Sequence, residues 1–278
     1  MKTSYPNTLN SEQIARFHQD GYLIVSGFFD SAQVDKLYGF ATQDETISRH
    51  SYGMMDKEGR ASRLALWFTP GNDPFGLLAR SAGIVGAVDQ LLEGDSAVAH
   101  YHSKLMQKEP RVGGAWEWHQ DYGYWYRAQF PFPNQMVSVM TALTPATPEN
   151  GCLQVIKGSH RMGRLEHAHK GSQMGANQRY VDQALEILEH RYVELQPGDV
   201  LIFHSNILHR SEANKSNQSR WSFISAYNRT ANVPKLEDST DCVTPIDVVP
   251  DTALLEAEAI GMQVGTEFLS VEKDVNIQ

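Results

Sequence analysis

The periodicity of apolar residues changes near residue 95, and this change narrows the folds open to the chain. Before it, SEQIARFHQDG, DSAQVDKLYGFATQ and FGLLARSAGIVGAVDQLLEG have helical spacing, and glycine ends the first and third of these segments. After it come short β-rich segments between turn residues: AVAHYHSKLMQK, QMVSVMTALT, CLQVIKG, RYVELQPGDVLIFHS and RWSFISAYNRT. Helices followed by a run of strands indicate a β-barrel or sandwich with helices packed outside.

Smaller signals refine this arrangement. YLIV predicts a strand after the first helix, Pro197–Asp199 a tight turn, and GANQRYVDQALEILEHRY a helix inserted among the strands. After about residue 230 the chain turns acidic and irregular, with one helix predicted in DTALLEAEAIG. With no internal repeat and no linker rich in Gly or Ser, we expect one domain over residues 1–278. It comprises a helical N-terminal part to about residue 95, a β core over about 96–232 and an acidic C-terminal extension.

Composition excludes several classes of partner. A net charge of −9 argues against nucleic acid, because phosphate contacts need clustered Lys and Arg. No run of about 18 apolar residues is present to span a membrane, and MKTSYPNTLN has no secretory apolar run. Two cysteines are too few for a disulfide or metal-binding framework. We therefore expect a cytoplasmic protein that acts on a small-molecule substrate.

The segment AWEWHQDYGYWYR places His119 and Asp121 two residues apart among aromatic residues. On a strand, residues i and i+2 share a face, so both side chains can point to one centre. One imidazole and one carboxylate suit a divalent first-row metal, and a second histidine would complete the facial triad of non-haem Fe(II) oxygenases. The segment DVLIFHSNILHRS offers His204 and His209 for that position.

A serine and an arginine follow the two histidines in the sequence. Arg220 lies eleven residues after His209, at the start of the strand RWSFISAY, and Ser211 lies two after the histidine. A strand, a turn and a returning strand can bring these three side chains around one pocket. Arginine binds a carboxylate through two parallel hydrogen bonds, so the group suits a dicarboxylate co-substrate. His204 and His209 both remain candidates for the second histidine ligand.

These motifs resemble the Fe(II)- and 2-oxoglutarate-dependent dioxygenases of the phytanoyl-CoA dioxygenase type. HQDGYLIVSGFF, ENGCLQVIKGSH and PGDVLIFHSNILHRS resemble further segments of that family, although Lys157 stands where proline is common. The resemblance implies a double-stranded β-helix (a cupin-like jelly-roll), an all-β core with flanking helices.

The resemblance also implies site residues and cofactors. His119, Asp121 and His209 are the implied catalytic ligands of Fe(II). Arg220 and Ser211 would bind the distal carboxylate of 2-oxoglutarate, with O2 as the oxidant. We add Lys104, which we place at the floor of the pocket, as a third residue of the cofactor-binding set. Related halogenases lack the carboxylate ligand, and its presence here favours hydroxylation of an aliphatic C–H.

The aromatic residues predict the kind of substrate. Tyr122, Tyr124 and Tyr126 alternate, so on a continuing strand they would share a face, and such rings bind cations. Lys104, on the strand HYHSKLMQKEP, could supply the opposing charge. A small zwitterion would use both. The candidate substrate-binding residues are Trp118, Tyr122, Tyr124 and Arg161.

A weaker resemblance points to the branch that hydroxylates aminoalkylphosphonates, including 2-(trimethylamino)ethylphosphonate, at the carbon next to phosphorus. Ectoine-like and betaine-like metabolites and an acyl-CoA remain alternatives, as do a non-catalytic metal-binding jelly-roll and a zinc hydrolase. An acidic chain without a Lys/Arg cluster disfavours the acyl-CoA. His167 and His169 are predicted as loop residues of a mobile lid, able to contact a substrate anion.

Overall fold

The computed structural model describes residues 8–235, 243–257 and 268–269. The helices are α1 (Ser11–Asp20), α2 (Ser31–Gln43), α3 (Glu45–His50), α4 (Pro74–Ala79), α5 (Ala82–Leu91), α6 (Asp121–Trp125), α7 (Gln178–Ile187) and α8 (Ala253–Glu256). The strands are β1 (Tyr22–Val25), β2 (Tyr52–Met55), β3 (Ala61–Trp67), β4 (Val98–Lys108), β5 (Trp116–His119), β6 (Val137–Ala142), β7 (Leu153–Ile156), β8 (His167–Lys170), β9 (Gln173–Ala176), β10 (His190–Val193), β11 (Val200–His204), β12 (His209–Ser211), β13 (Arg220–Arg229) and β14 (Thr244–Pro245).

Two antiparallel sheets form the core. The major sheet has the order β1-β11-β6-β13-β4-β3-β2, and β14 pairs with β4. The minor sheet has the order β10-β7-β12-β5, while β8 and β9 form a separate two-stranded ribbon. From β4 to β13, successive strands belong alternately to the major and the minor sheet, except around the ribbon of β8 and β9. This alternation is typical of a double-stranded β-helix. This arrangement confirms the predicted jelly-roll with flanking helices.

The alternation of side chains along each strand divides the core into two layers. On β11, Val200 and Ile202 face outward and pack with residues of α1, α2, α4 and α5. Leu201 and Phe203, the intervening residues, face inward and pack with residues of the minor sheet. One face of the major sheet is therefore covered by helices, and the other faces a cavity between the sheets.

The N-terminal part is less helical than predicted. It contributes three strands to the major sheet: β1 pairs with β11, and β2 and β3 extend the sheet beyond β4. The sequence pattern predicted β1 alone. After the N-terminal part, β4 begins at Val98 and β13 ends at Arg229.

Two further local predictions are confirmed, and a third is confirmed in part. The predicted turn at residues 197–199 exists, with Gly198 at a φ of 89° and only 2.3 Å between its would-be Cβ and the carbonyl oxygen of Phe29. The inserted helix is α7. The C-terminal helix is α8, although part of the predicted segment lies outside the described residues. Within the described stretches, no helix has the length and apolar character needed to cross a bilayer.

Candidate metal centre

Two neighbouring strands of the minor sheet bring two histidines together. His119 ends β5 and His209 begins β12, and the two residues are paired across the antiparallel ladder, with ring centroids 4.1 Å apart. Asp121 follows as the first residue of α6. Its Oδ1 lies 3.9 Å from Nε2 of His119 and 3.6 Å from Nε2 of His209. All three side chains are buried, and one ligand atom from each lies within 4.8 Å of the others.

Hydrogen bonds fix the tautomer of both histidines. Nδ1 of His119 lies 2.7 Å from the carbonyl oxygen of Glu117, and Nδ1 of His209 lies 3.0 Å from that of Ile207. Since a carbonyl oxygen only accepts, each Nδ1 carries the proton and each Nε2 has a free lone pair directed at the centre. Burial lowers the pKa of both imidazoles, which keeps them neutral as metal binding requires.

Asp121 is held ionised and oriented. Its Oδ2 accepts a hydrogen bond of 2.5 Å from the hydroxyl of Ser138 on β6, which directs Oδ1 to the histidines. Burial alone would raise the pKa of this carboxyl group. The charge of Lys104, together with the hydrogen bond from Ser138, outweighs that effect and holds the pKa below its ordinary value.

The residue between the ligands is anchored on both its backbone and its side chain. The amide N–H of Gln120 donates to Nε2 of His167 on β8, at 2.9 Å. Its side-chain amide donates to the carbonyl oxygens of Gly163 and Asn206, each at 2.7 Å, and accepts from the amide of Leu165. The turn that carries His119 and Asp121 is thereby joined to residues 163–165, just before β8.

Two buried cations lie at one end of the cavity. Arg220 on β13 is paired in register with Lys108 on β4. Lys108 donates to the hydroxyl of Ser211 at 2.8 Å, and Arg220 donates to the carbonyl oxygen of Gly151 while its Nε is buried without a partner. Burial lowers the pKa of Arg220 to about 10 and that of Lys108 well below its ordinary value. Neither residue forms an ion pair with an acidic residue of the described part of the chain.

The triad opens into a cavity of about 130 Å³ between the two sheets. Its walls are mainly apolar and aromatic, and they join the triad to Arg220 and Ser211. The other lining residues are Tyr52, Met54, Leu64, Leu66, Phe68, Tyr101, His102, Lys104, Met106, Trp116, Tyr124, Trp125, Met140, Leu153, Phe203, Arg210, Ile224 and Leu269.

Several predicted substrate-binding residues lie elsewhere. The chain leaves the strand after His119, so the tyrosines are on the helix α6 and do not share a face. Tyr124 lines the cavity, whereas Tyr122 is buried and donates to the carbonyl oxygen of Phe130. Trp118 packs in another apolar cluster, with the guanidinium of Arg210 4.9 Å from its ring.

Arg161 and the histidines outside the triad also lie apart from the predicted positions or in a different local structure. Arg161 lines a separate cavity that also contains His204. His204 is hydrogen-bonded to Asn134 and Asn206, away from the triad, which leaves His209 as the histidine beside Asp121. His167 and His169 lie on the strand β8 and are not loop residues, because β8 pairs with β9.

Sequence reasoning missed Ser138 and Lys108. Ser138 lies within VSVMTA and had no signal of its own. Lys108 could have been identified from the sequence, because it lies four residues after Lys104 on a predicted strand and therefore shares a face with it.

A buried group of two histidines and one carboxylate, set in a jelly-roll beside a buried arginine, is the arrangement of non-haem Fe(II) oxygenases. The sequence matches the phytanoyl-CoA dioxygenase family over residues 17–222. The chain belongs to this family of Fe(II)- and 2-oxoglutarate-dependent dioxygenases.

Individual relatives act on different small molecules. The chain is 30% identical to an L-proline trans-4-hydroxylase of Streptomyces griseoviridis, over 79% of this chain and 86% of the relative. It is 28% identical to a methylphosphonate hydroxylase of Gimesia maris, over 81% of this chain and 82% of the relative. The fold is similar to that of EctD from S. alaskensis with bound Fe, with a TM-score of 0.70 and 21% identity over 87% of this chain and 88% of that one.

Proposed function

We propose that this protein is an Fe(II)- and 2-oxoglutarate-dependent hydroxylase of a small polar or zwitterionic molecule. His119, Asp121 and His209 would hold the iron. Arg220 and Ser211 would bind the distal carboxylate of 2-oxoglutarate, together with Lys108. The observation that carries the proposal is the pairing of the buried triad with two buried cations that have no carboxylate partner.

The donor set fits Fe(II). Two neutral imidazole nitrogens and one carboxylate oxygen occupy one face of an octahedral ion and leave three positions for other ligands. Both Nε2 lone pairs are free because both Nδ1 atoms carry protons donated to backbone carbonyls. A site of four protein ligands, as in structural zinc proteins, would need a further side chain that the described residues do not place here.

The end of the cavity that carries Arg220 and Lys108, here called the cationic end, suits a carboxylate. A buried cation without a carboxylate partner is costly, and the chain places two such cations, Lys108 and Arg220, side by side. An incoming carboxylate would receive hydrogen bonds from Arg220 Nε and from Ser211, whose hydroxyl accepts from Lys108 and so keeps its own proton available. Binding of the carboxylate would also neutralise the positive charge of the side chains that folding has removed from water.

The protein's share of the reaction is positioning and exclusion of water. When bound, Fe(II) with 2-oxoglutarate and O2 supplies the oxidising power that replaces an aliphatic C–H by C–OH. Ser138 and Gln120 hold the ligands, while Arg220 fixes one end of the co-substrate. The apolar wall formed by Leu66, Met140 and other residues excludes water from the face where the substrate binds.

The best candidate substrate is an aminoalkyl- or trimethylaminoalkylphosphonate, hydroxylated at the carbon next to phosphorus. The relative that is a methylphosphonate hydroxylase supports this class. The relatives that act on L-proline and on ectoine support a small zwitterionic metabolite instead. Ectoine-like or betaine-like metabolites are therefore the alternative. The small cavity and the net charge of −9 oppose an acyl-CoA. A cytoplasmic location is consistent with the burial of the free thiol of Cys152.

The proposal is tested by the visible spectrum of the protein mixed anaerobically with Fe(II) and 2-oxoglutarate. We expect a weak charge-transfer band that is lost in His209→Ala. In Arg220→Met the band should need about 30-fold more 2-oxoglutarate, since removing one partner of a buried charge pair costs roughly 2 kcal/mol or more. Arg161→Met, which changes an arginine of the separate cavity, is the matched control and should leave this affinity unchanged.

A metal-binding jelly-roll without turnover is the competing class. It would bind Fe(II) through the triad but would show no band with 2-oxoglutarate. Equal affinity of the wild-type protein and Arg220→Met for 2-oxoglutarate would also contradict the assignment of the cationic end.

A further inference from the structure

Lys104 is a cation in the cavity that the proposed iron and 2-oxoglutarate sites leave unused. It lies on β4, where His102, Lys104, Met106 and Lys108 share one face. Lys108 donates to Ser211, but Lys104 forms no hydrogen bond or ion pair with any residue in the described ranges. Its side chain is half-buried and lines the cavity. The carboxylate of Asp121 lies in the same cavity, and Lys104 helps to lower its pKa. In the loaded protein that carboxylate would bind Fe(II), which leaves the Lys104 ammonium available to a second anion.

The register of the major sheet separates Lys104 from the cationic end. Lys108 is paired with Arg220, whereas Lys104 is paired with Ile224. Four residues of strand correspond to about 13 Å. Lys104 is therefore too far along the sheet to share one carboxylate with Arg220. This separation removes it from the group that would bind the distal end of 2-oxoglutarate.

The same register places Lys104 at the level of the triad. Ser138, which hydrogen-bonds Asp121, is paired with Ala226, and Ala226 is paired with His102 on the other side. His102 is the next residue on the face that carries Lys104. An anion bound by Lys104 would thus lie beside the metal ligands, where a substrate must present its C–H.

The surroundings of Lys104 define what can bind there. Leu66 and Ile224 flank it on the neighbouring strands, and both line the cavity. An aromatic cluster of Phe68, Tyr101 and Trp125 packs around the ring of His102, with ring centroids 4.6 to 6.4 Å away. Among the described lining residues the only carboxylate is that of Asp121, which accepts from Ser138.

We propose that Lys104 binds an oxyanion of the substrate, a carboxylate or a phosphonate, and that the aromatic cluster packs against the rest of the molecule. The inference rests on the proposed function and specifies its substrate class as a small anion. Aromatic faces also attract cationic groups, so a zwitterion with its ammonium toward Phe68, Tyr101 and Trp125 fits both elements.

The test measures binding directly, in protein loaded anaerobically with Fe(II) and 2-oxoglutarate. The probes are methylphosphonate, 2-aminoethylphosphonate, L-proline and acetate, each compared with its uncharged ester or amide and with sodium chloride at equal ionic strength. Binding is followed by the charge-transfer band and by quenching of the tryptophans that line the cavity. We expect at least one anionic probe to bind, and its uncharged derivative to bind at least about tenfold more weakly.

Variants assign the effect to one side chain. Lys104→Met should weaken the anionic probe at least about tenfold, Lys104→Arg should retain it, and both should bind 2-oxoglutarate as the wild type does. Lys157→Met is the matched control, because Lys157 pairs with Asp20 and does not line the cavity. The probe that binds best distinguishes a phosphonate from a carboxylate.

Three results would overturn the inference. The uncharged derivatives could bind as tightly as the anions. No oxyanion could perturb the loaded protein even at high millimolar concentration. Lys104→Met could weaken 2-oxoglutarate as much as the probe, which would assign Lys104 to the co-substrate. By contrast, failure of the wild-type protein to give the band in the absence of probe would contradict the proposed function itself.

Discussion

Each residue at the metal centre is oriented by a second residue that the sequence pattern does not mark. Backbone carbonyl oxygens of Glu117 and Ile207 hold the two histidines, and the hydroxyl of Ser138 holds Asp121. Residues in this supporting role set the geometry and basicity of the metal ligands. Each histidine is thus held by the backbone two residues before it, whereas Asp121 is held from another strand, β6.

Ser138→Ala should weaken metal binding. The change removes the 2.5 Å hydrogen bond to Oδ2 of Asp121 and lets the carboxylate rotate. Loss of a supporting contact of this kind costs about 10- to 100-fold in metal affinity. Titration of the metal-free protein with Mn(II), read by the relaxation of water protons, measures the change.

Ser225→Ala is the matched control for this prediction. Ser225 is also a buried serine of the major sheet, but its hydroxyl contacts Ser103, 2.9 Å away, and not the triad. The Ser225→Ala variant should bind the metal with nearly the same affinity as the wild-type protein. Equal Mn(II) affinity in Ser138→Ala and the wild-type protein would show that the backbone alone positions Asp121.

The sequence predicted the ligands better than their supports, for a physical reason. His119, Asp121, His209, Ser211 and Arg220 combine side-chain types and offsets that suit one chemistry, and the structure brings all five to one cavity. Ser138 has no such pattern around it in the sequence, and it gains its role only because the fold brings its hydroxyl, on β6, to the carboxylate of Asp121. The shared face predicted for Tyr122, Tyr124 and Tyr126 was wrong because alternation was extended beyond His119, where the chain turns into a helix.

At the scale of elements, the ribbon of β8 and β9 supports the metal-binding segment. Gln173 on β9 accepts from the amide of Glu117 and donates to the carbonyl oxygen of Ala115. His167 on β8 accepts from the amide of Gln120 and donates through Nδ1 to the carbonyl oxygen of Leu165. This region was predicted as a mobile lid because the segment RMGRLEHAHKGSQMG has few apolar anchors. Hydrogen bonds to the backbone in and next to β5 hold the ribbon in place of apolar contacts.

His167→Phe should loosen this support. The ring shape is kept, but the buried amide of Gln120 loses its acceptor, which costs about 1–3 kcal/mol. We expect faster hydrogen exchange at the Gln120 amide and weaker Mn(II) binding, with the jelly-roll itself intact. Hydrogen exchange followed by mass spectrometry or NMR measures the first effect.

His169→Phe is the matched control on the same strand, since His169 is exposed. Exchange at Gln120 should be unchanged in this variant. If His167→Phe also leaves that exchange unchanged, the side chain of Gln120, through its bonds to Gly163 and Asn206, suffices to anchor the segment.

At the scale of the whole molecule, burial of neutral histidines couples stability to pH. Burial lowers the pKa of His100 to about 3, that of His204 to about 3 and that of His167 to about 4. These residues lie on the major sheet and on the ribbon, so the effect is not confined to the metal centre. Hydrogen bonds define their neutral forms; for example, Nδ1 of His204 accepts from the amide of Asn206.

The metal-free protein should therefore lose stability as the pH falls below about 6.5. The unfolded chain then binds protons at these histidines while the folded chain does not, so the free energy of unfolding decreases between about pH 6.5 and pH 4. Each such histidine contributes a slope of about 1.4 kcal/mol per pH unit in that range. His204→Asn, which lies outside the triad, should reduce the slope by about that amount. Urea unfolding at about pH 7.5, 6 and 5 measures both slopes. An unchanged slope in His204→Asn would mean that this imidazole binds its proton in the folded state, with the hydrogen bond from Asn206 broken.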